Sequence, residues 1–260
     1  MVDDISAAER EIAPPGRAAL LDFGRIVVIG GGCYGSWYTQ QLDRARSRGA
    51  LTAREIVVVD RDANCKVAQQ LAQGMYEGTP VRLAVSTWDD YLAEWLSAGP
   101  DALAADTMVP SPLMPHLCLD WLMARARARW PGRAMEVAPL PGTPPTPWER
   151  AAPDARHYVS FATWTCPVNC IEPAKCPATR RPRDWSMPVT IRAMADGEPR
   201  LHGAAIFHCE HRTYGVGMID AAAIAAADLR VAEWGGQGPC NILVGTVSHC
   251  HGALGVLAIS

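Results

Sequence analysis

The chain has 260 residues, 49% of them hydrophobic and 20% charged, with a formal net charge of −3. That length buries an ample core as one large or two small domains, and the composition is that of an ordinary globular protein. A mildly acidic balance speaks against a nucleic-acid binder, which carries a marked basic surface. No apolar run reaches the roughly 18 residues that a membrane span needs.

The first residues, MVDDISAAEREIAPPG, lack a secretory pattern and are read as part of an N-terminal extension over 1–22. A cytoplasmic location is expected, and in that compartment nine cysteines point to metal binding or reactive thiols rather than disulfides.

The stretch RIVVIGGGCYGSWYTQQLDRARSRG is the most legible part of the chain. Residues 26–29 predict a buried strand, followed by Gly30, Gly32 and Gly35 at G-x-G-x-x-G spacing and then a helix. EIVVVD predicts a second strand ending at Asp60. In such an arrangement the first glycine permits the turn, the second admits a pyrophosphate and the third lets helix and strand pack closely. The helix start offers free N–H groups to phosphate, and the acid would bond ribose hydroxyls.

Further along, a short helix ends near Gly74 and VRLAV (81–85) is a third strand. A helix after Thr87 places Trp88, Tyr91, Leu92, Trp95 and Leu96 on one face. A fourth strand is expected at 102–106, a helix from Pro115 to Trp130, and a fifth strand at RAMEV. His116 is read as a solvent-exposed residue at a helix start. Cys65 and Cys118 are read as buried helix residues, and Cys240 is left undecided.

The segment from Arg25 to Asp60, with VIGGGCYG and VVVD, resembles the NAD(P)/FAD-binding Rossmann superfamily. The fold class implied is α/β, a Rossmann-like parallel sheet over 23–138 with a C-terminal α/β half. The binding set is Gly30, Gly32, Cys33, Tyr34, Gly35, Asp60 and Arg61. Asp60 favours NAD or FAD, Arg61 keeps NADP open, and S-adenosylmethionine stays in play because methyltransferases use similar loops.

Residues 139–156 are proline-dense and read as a linker, leaving 157–260 as the C-terminal half. There, FATWTCPVNCIEPAKCPATRRPRDW holds Cys166, Cys170 and Cys176 as C-x3-C-x5-C, which matches neither paired zinc units nor the ferredoxin run. Two further strand candidates end at His208–Cys209–Glu210–His211 and at His249–Cys250–His251. If those strands join the sheet in parallel, the three clusters and the glycine loop share one sheet edge. Cys166, Cys170 and Cys176 with Cys209 or Cys250 then form a metal set, an iron–sulfur cluster first and zinc as the alternative.

The reading that follows is a nucleotide-linked redox protein, an NAD(P)-linked oxidoreductase if it is an enzyme. Its expected partners are a dinucleotide and a redox protein, with no nucleic acid and no membrane, and homo-oligomerisation is open. Two alternatives stand: a non-enzymatic sensor or assembly subunit with structural zinc, and a Lewis-acid enzyme.

Overall fold

The computed structural model describes residues 20–166 and 170–260. Most of the predicted N-terminal extension, residues 1–19, and positions 167–169 of the cysteine loop lie outside them. The chain folds as a mixed α/β protein with two sheets and six helices among the described residues.

The first sheet begins with β1 (Leu21–Ile29), β2 (Leu51–Asp60), β3 (Val81–Val85) and β4 (Thr107–Val109), mutually parallel in the order β3-β2-β1-β4. Residues 26–29 and 56–59 are fully or almost fully buried because helices cover both faces, which is why both strands read as unbroken β-branched runs. Helices α1 (Cys33–Ser47) and α2 (Lys66–Ala72) lie on one face, where Ile26, Val28, Ile56 and Val58 meet Leu42 and Val67. The sheet is not parallel throughout. β10 (Val216–Asp220) adds antiparallel to β4, and β9 (Glu210–Thr213) adds antiparallel to β10.

The second sheet runs β6-β7-β12-β11-β8, from β6 (Trp148–Ala151), β7 (His157–Ser160), β8 (Gly203–His208), β11 (Cys240–Val247) and β12 (His251–Ile259). β5 (Met135–Ala138) also pairs with β12. Thus the proline-dense segment, expected as linker, contains one short exposed edge strand, a position where proline neighbours are tolerated.

Between the sheets lie α3 (Trp88–Leu96), α4 (Leu117–Arg129) and α6 (Ala221–Gly236), while α5 (Met187–Asp196) covers the outer face of the second sheet. One core joins Val27, Ile29, Val57 and Val59 of the first sheet to Phe207, Ile242, Val244 and Leu257 of the second through these central helices. Asp228 of α6 ties them further, accepting from Arg125 and bidentately from Arg129 of α4.

Two local readings are corrected. Residues 102–105 form a turn, and the strand starts one residue after Asp106. The Asp106 carboxylate instead accepts from the Arg25 backbone N–H at 2.8 Å and from the Trp95 indole at 3.1 Å, so it braces a turn rather than ending a strand. His116 is buried, 6% exposed, and packs edge-on to Tyr158 of β7, because the second sheet covers the helix start that the sequence presents as surface. Among the described residues no helix is long and apolar enough to cross a membrane.

Candidate functional site

β7 and β11 are both antiparallel to β12, and β8 is parallel to β11, so β7, β8 and β11 share one direction. Their carboxyl ends therefore gather at one edge of the second sheet, where ligands collect in open α/β sheets. Backbone bonds lace these ends together. Phe161 N–H donates to Cys250 O at 2.8 Å, Cys209 N–H to Val247 O at 2.7 Å, and Met187 N–H to His249 O at 3.0 Å.

The cysteine loop folds over this edge. Cys176 N–H bonds Arg181 O, Arg180 N–H returns to Cys176 O, and Arg183 N–H reaches Ala174 O, closing a tight hairpin between two prolines. Glu172 and Arg180 adopt left-handed backbone angles, φ 51° and 59°, an uncommon conformation for residues with side chains. Glu172 is held there from several sides. Its carbonyl accepts from the Arg183 guanidinium, and its carboxylate accepts from His249 N–H at 3.2 Å. His211 donates Nδ1–H to Cys170 O at 2.5 Å, and the His251 Nδ1 pairs with Ser160 Oγ at 2.9 Å.

Two sulfurs at this edge accept from N–H donors. Cys170 Sγ accepts from the Glu172 backbone at 3.3 Å, and Cys250 Sγ from the Trp185 indole at 3.3 Å. For Cys176, burial opposes ionisation, but Thr179 N–H and hydroxyl, Ala178 N–H and Arg183 outweigh it and lower the thiol pKa. The Trp164 indole N–H is buried and has no bonded partner among the described residues. Burial raises the Cys166 thiol, and the charges of Cys170 and Cys176 raise it further. Cys250 is raised by burial, against the Trp185 bond, and feels Cys166. Donors of this kind are what metal-bound thiolates require from their surroundings.

Cys209 differs. It sits at the corner where β8 leaves the second sheet and β9 enters the first. Burial pushes its thiol up to about 12, with Glu172, Cys118 and Glu210 adding to the rise and Arg212 opposing it. A Cβ on Gly217 would lie 2.6 Å from its sulfur, so the glycine makes room for it. All nine cysteines are free thiols. Among the described residues no three His, Cys, Asp or Glu side chains stand in metal-holding geometry.

The glycine loop lies at the carboxyl end of β1 in the first sheet, not at the second-sheet edge it was expected to share with the cysteines, because β7, β8 and β11 pair with β12 rather than joining β1. Gly30 takes φ +85°, and a Cβ on Gly35 would fall 1.7 Å from Gly30 O, so both glycines are demanded by the turn itself. In front of Gly32 there is open space, and Cys33, Tyr34 and Arg61 are exposed. Asp60 is used within the protein. One carboxylate oxygen accepts from Gly31 N–H at 2.7 Å and the other from Asp62 N–H at 2.9 Å, leaving further lone pairs on each. Tyr38 of α1, raised to about 12 by burial, also feels Cys209, so the helix that starts at the glycine loop reaches toward the cysteine edge.

Cys65 and Cys118 are buried, as expected, and Cys240 is buried at the start of β11. Sequence reading passed over Glu172, Trp164 and Trp185. A carboxylate inside a cysteine run and tryptophans flanking it were the available signals.

Fold and site together define a mixed α/β protein with a cysteine loop laid over converging strand ends. The chain belongs to the family described as AF_1314_C: Uncharacterized protein, C-terminal domain, which matches residues 118–260. The matched region starts inside α4 and takes in the second sheet, the cysteine loop and the β9–β10 hairpin. No curated protein and no solved structure matches the chain. The resemblance of residues 25–60 to the NAD(P)/FAD-binding superfamily is thereby corrected, since the family found is a different one and lies on the other half. The physical reason is visible in the loop. Its turn and its helix packing account for Gly30 and Gly35, and its own amides engage Asp60, so each of these residues has a role in the fold itself.

Proposed function

We propose that this protein is a nucleotide-linked redox protein whose iron–sulfur cluster is held by Cys166, Cys170, Cys176 and Cys250. The observation that carries this reading is the pair of N–H donors, the Glu172 backbone at Cys170 and the Trp185 indole at Cys250, at a shared strand-end edge. A cluster there would take up and release single electrons. The chain's own residues supply the thiolates, their N–H donors and, through Trp164, Trp185 and Phe161, an aromatic wall that limits water.

Cys250 is the better fourth ligand than Cys209. An indole N–H is directed at its sulfur, whereas Cys209 lies at the corner between β8 and β9, where no N–H donor to its sulfur is found among the described residues.

The four parallel strands β3-β2-β1-β4 support a Rossmann-like reading of that part of the first sheet, as architecture alone. On this reading NAD(P) or FAD lies over the open space at Gly32, its phosphates toward the α1 start and Tyr34 and Arg61 beside it. Nine free thiols support a reducing compartment.

Anaerobic purification with iron, sulfide and zinc analysis and a visible spectrum tests the proposal. The expected result is a chromophore lost in Cys170→Ala and Cys250→Ala and kept in Cys209→Ala. Iron and sulfide near zero would sink the cluster, and stoichiometric zinc without colour would install the structural-zinc alternative. For the nucleotide, NADH fluorescence titration should show binding weakened about tenfold or more in Gly32→Val, which fills open space without clashing. Equal binding by both proteins, or by neither, removes the nucleotide from that loop.

A further inference from the structure

Two histidines at the strand-end edge are held in one tautomer by their neighbours. The Cys170 carbonyl can only accept, so His211 gives it Nδ1–H at 2.5 Å. In the neutral ring the lone pair is then on Nε2. Ser160 donates its hydroxyl proton to Ala162 O at 2.7 Å. Its oxygen therefore accepts from His251 Nδ1–H at 2.9 Å, and the neutral His251 ring likewise keeps a lone pair on Nε2.

Glu172 supplies a third acceptor. Of the four half-buried glutamates among the described residues, Glu55, Glu198 and Glu210 are each paired with arginine, and Glu172 is not. Arg183 bonds the Glu172 carbonyl rather than its carboxylate, and one carboxylate oxygen accepts a single N–H, from His249. Hydrogen bonds draw the three acceptors into one neighbourhood. Cys170 holds His211 through its carbonyl and Glu172 through its sulfur, and Glu172 bonds the turn that carries His251. Glu172 and His211 are also the charges that act on the His251 ring. Beside His251, the Trp185 indole reaches Cys250 Sγ, and its ring packs on Phe161 and Trp164 at centroid distances of 6.2 and 6.1 Å.

Three acceptors, one negative charge and an aromatic wall suit an organic cation that carries N–H bonds. A primary ammonium has three donors, one each for His211 Nε2, His251 Nε2 and the Glu172 carboxylate. Among the described residues these side chains do not close to metal-holding distances, and N–H bonds of about 2.9 Å span a wider ring. We propose that this edge binds the primary ammonium group of an amine with an apolar body. The proposal rests on neither the cluster nor the nucleotide.

Calorimetric titration of the full-length protein with benzylamine at pH 8, where an ordinary imidazole is neutral, tests it. Benzyltrimethylammonium keeps the ring and the charge without N–H donors, and benzyl alcohol keeps the ring without the charge. Benzylamine should bind about tenfold or more tightly than either. Glu172→Gln and His251→Phe should each weaken it by a similar factor, with the near-ultraviolet circular dichroism unchanged. Glu136→Gln, at an exposed glutamate on β5, should leave the affinity as it is. Nitrogen-15 spectra of histidine-labelled wild type should show the Nδ1–H form at both His211 and His251, a readout that needs no variant to fold. Equal binding of benzyltrimethylammonium overturns the proposal, as does no binding of benzylamine. An Nε2–H form at either ring, or a folded variant that binds as wild type does, overturns it too.

Discussion

His116 shows how far a single side chain can depart from its sequence context. Burial, with the Arg156 cation adding to it and Asp154 opposing, lowers its pKa from 6.5 to about 4. The unfolded ring takes up a proton as pH falls through 6.5, while the folded ring stays neutral to about 4. Its contribution to stability is therefore complete above pH 6.5 and is lost as pH drops toward 4, by up to about 3 kcal/mol. Urea unfolding of wild type and His116→Gln at pH 7 and at pH 4.5 checks this. The wild type should lose markedly more stability than the variant between the two values. The cysteines give the same lesson. Spacing alone ranked Cys209 and Cys250 equally, because each follows a strand of similar composition. The indole of Trp185, 65 residues away in sequence, separates them, and no local pattern encodes that bond.

At the scale of elements, the legible parts were those whose pattern is set locally. The β-branched runs of β1 and β2, the Thr87 cap of α3 and the glycine turn all came out as read, the cap oxygen accepting from Asp90 N–H at 3.2 Å. β4 was misplaced by a few residues, since its three-residue length leaves no periodicity to find. β9 and β10 were missed as a hairpin, and the segment they occupy read as the tail of one strand and the start of a helix. The α4–α6 contact is equally nonlocal. Asp228 is buried against Arg125 and Arg129, so Asp228→Ala should cost about 2 kcal/mol, reduced from a fully buried pair because both arginines are partly solvated. Chemical denaturation measures it, and an Arg129→Ala, Asp228→Ala double variant should lose less than the sum of the singles.

For the whole molecule, the decisive feature is that the sheets are not divided along the chain. Residues 210–220 return to the first sheet, and the central core draws on both sheets through α3, α4 and α6. Intact protein should accordingly unfold in a single transition seen alike by tryptophan fluorescence and far-ultraviolet circular dichroism. A fragment ending at residue 138 removes β10 from β4 and exposes the inner face of the sheet, so it should show no cooperative transition. Two separated transitions in the intact chain would contradict that dependence.

The sequence by itself determined the α/β class, the strand–glycine–helix turn and the buried β-branched strands. All of these rest on periodicity or on residues close together in the chain. Tertiary structure alone decided that the first sheet is mixed, that three cysteine-bearing strand ends meet at one edge of the second, that His116 is buried, that Asp60 is bonded within its own loop, and that the Trp185 indole meets Cys250. Each of those depends on contacts between distant segments, where packing and hydrogen-bond geometry, not local preference, set the outcome.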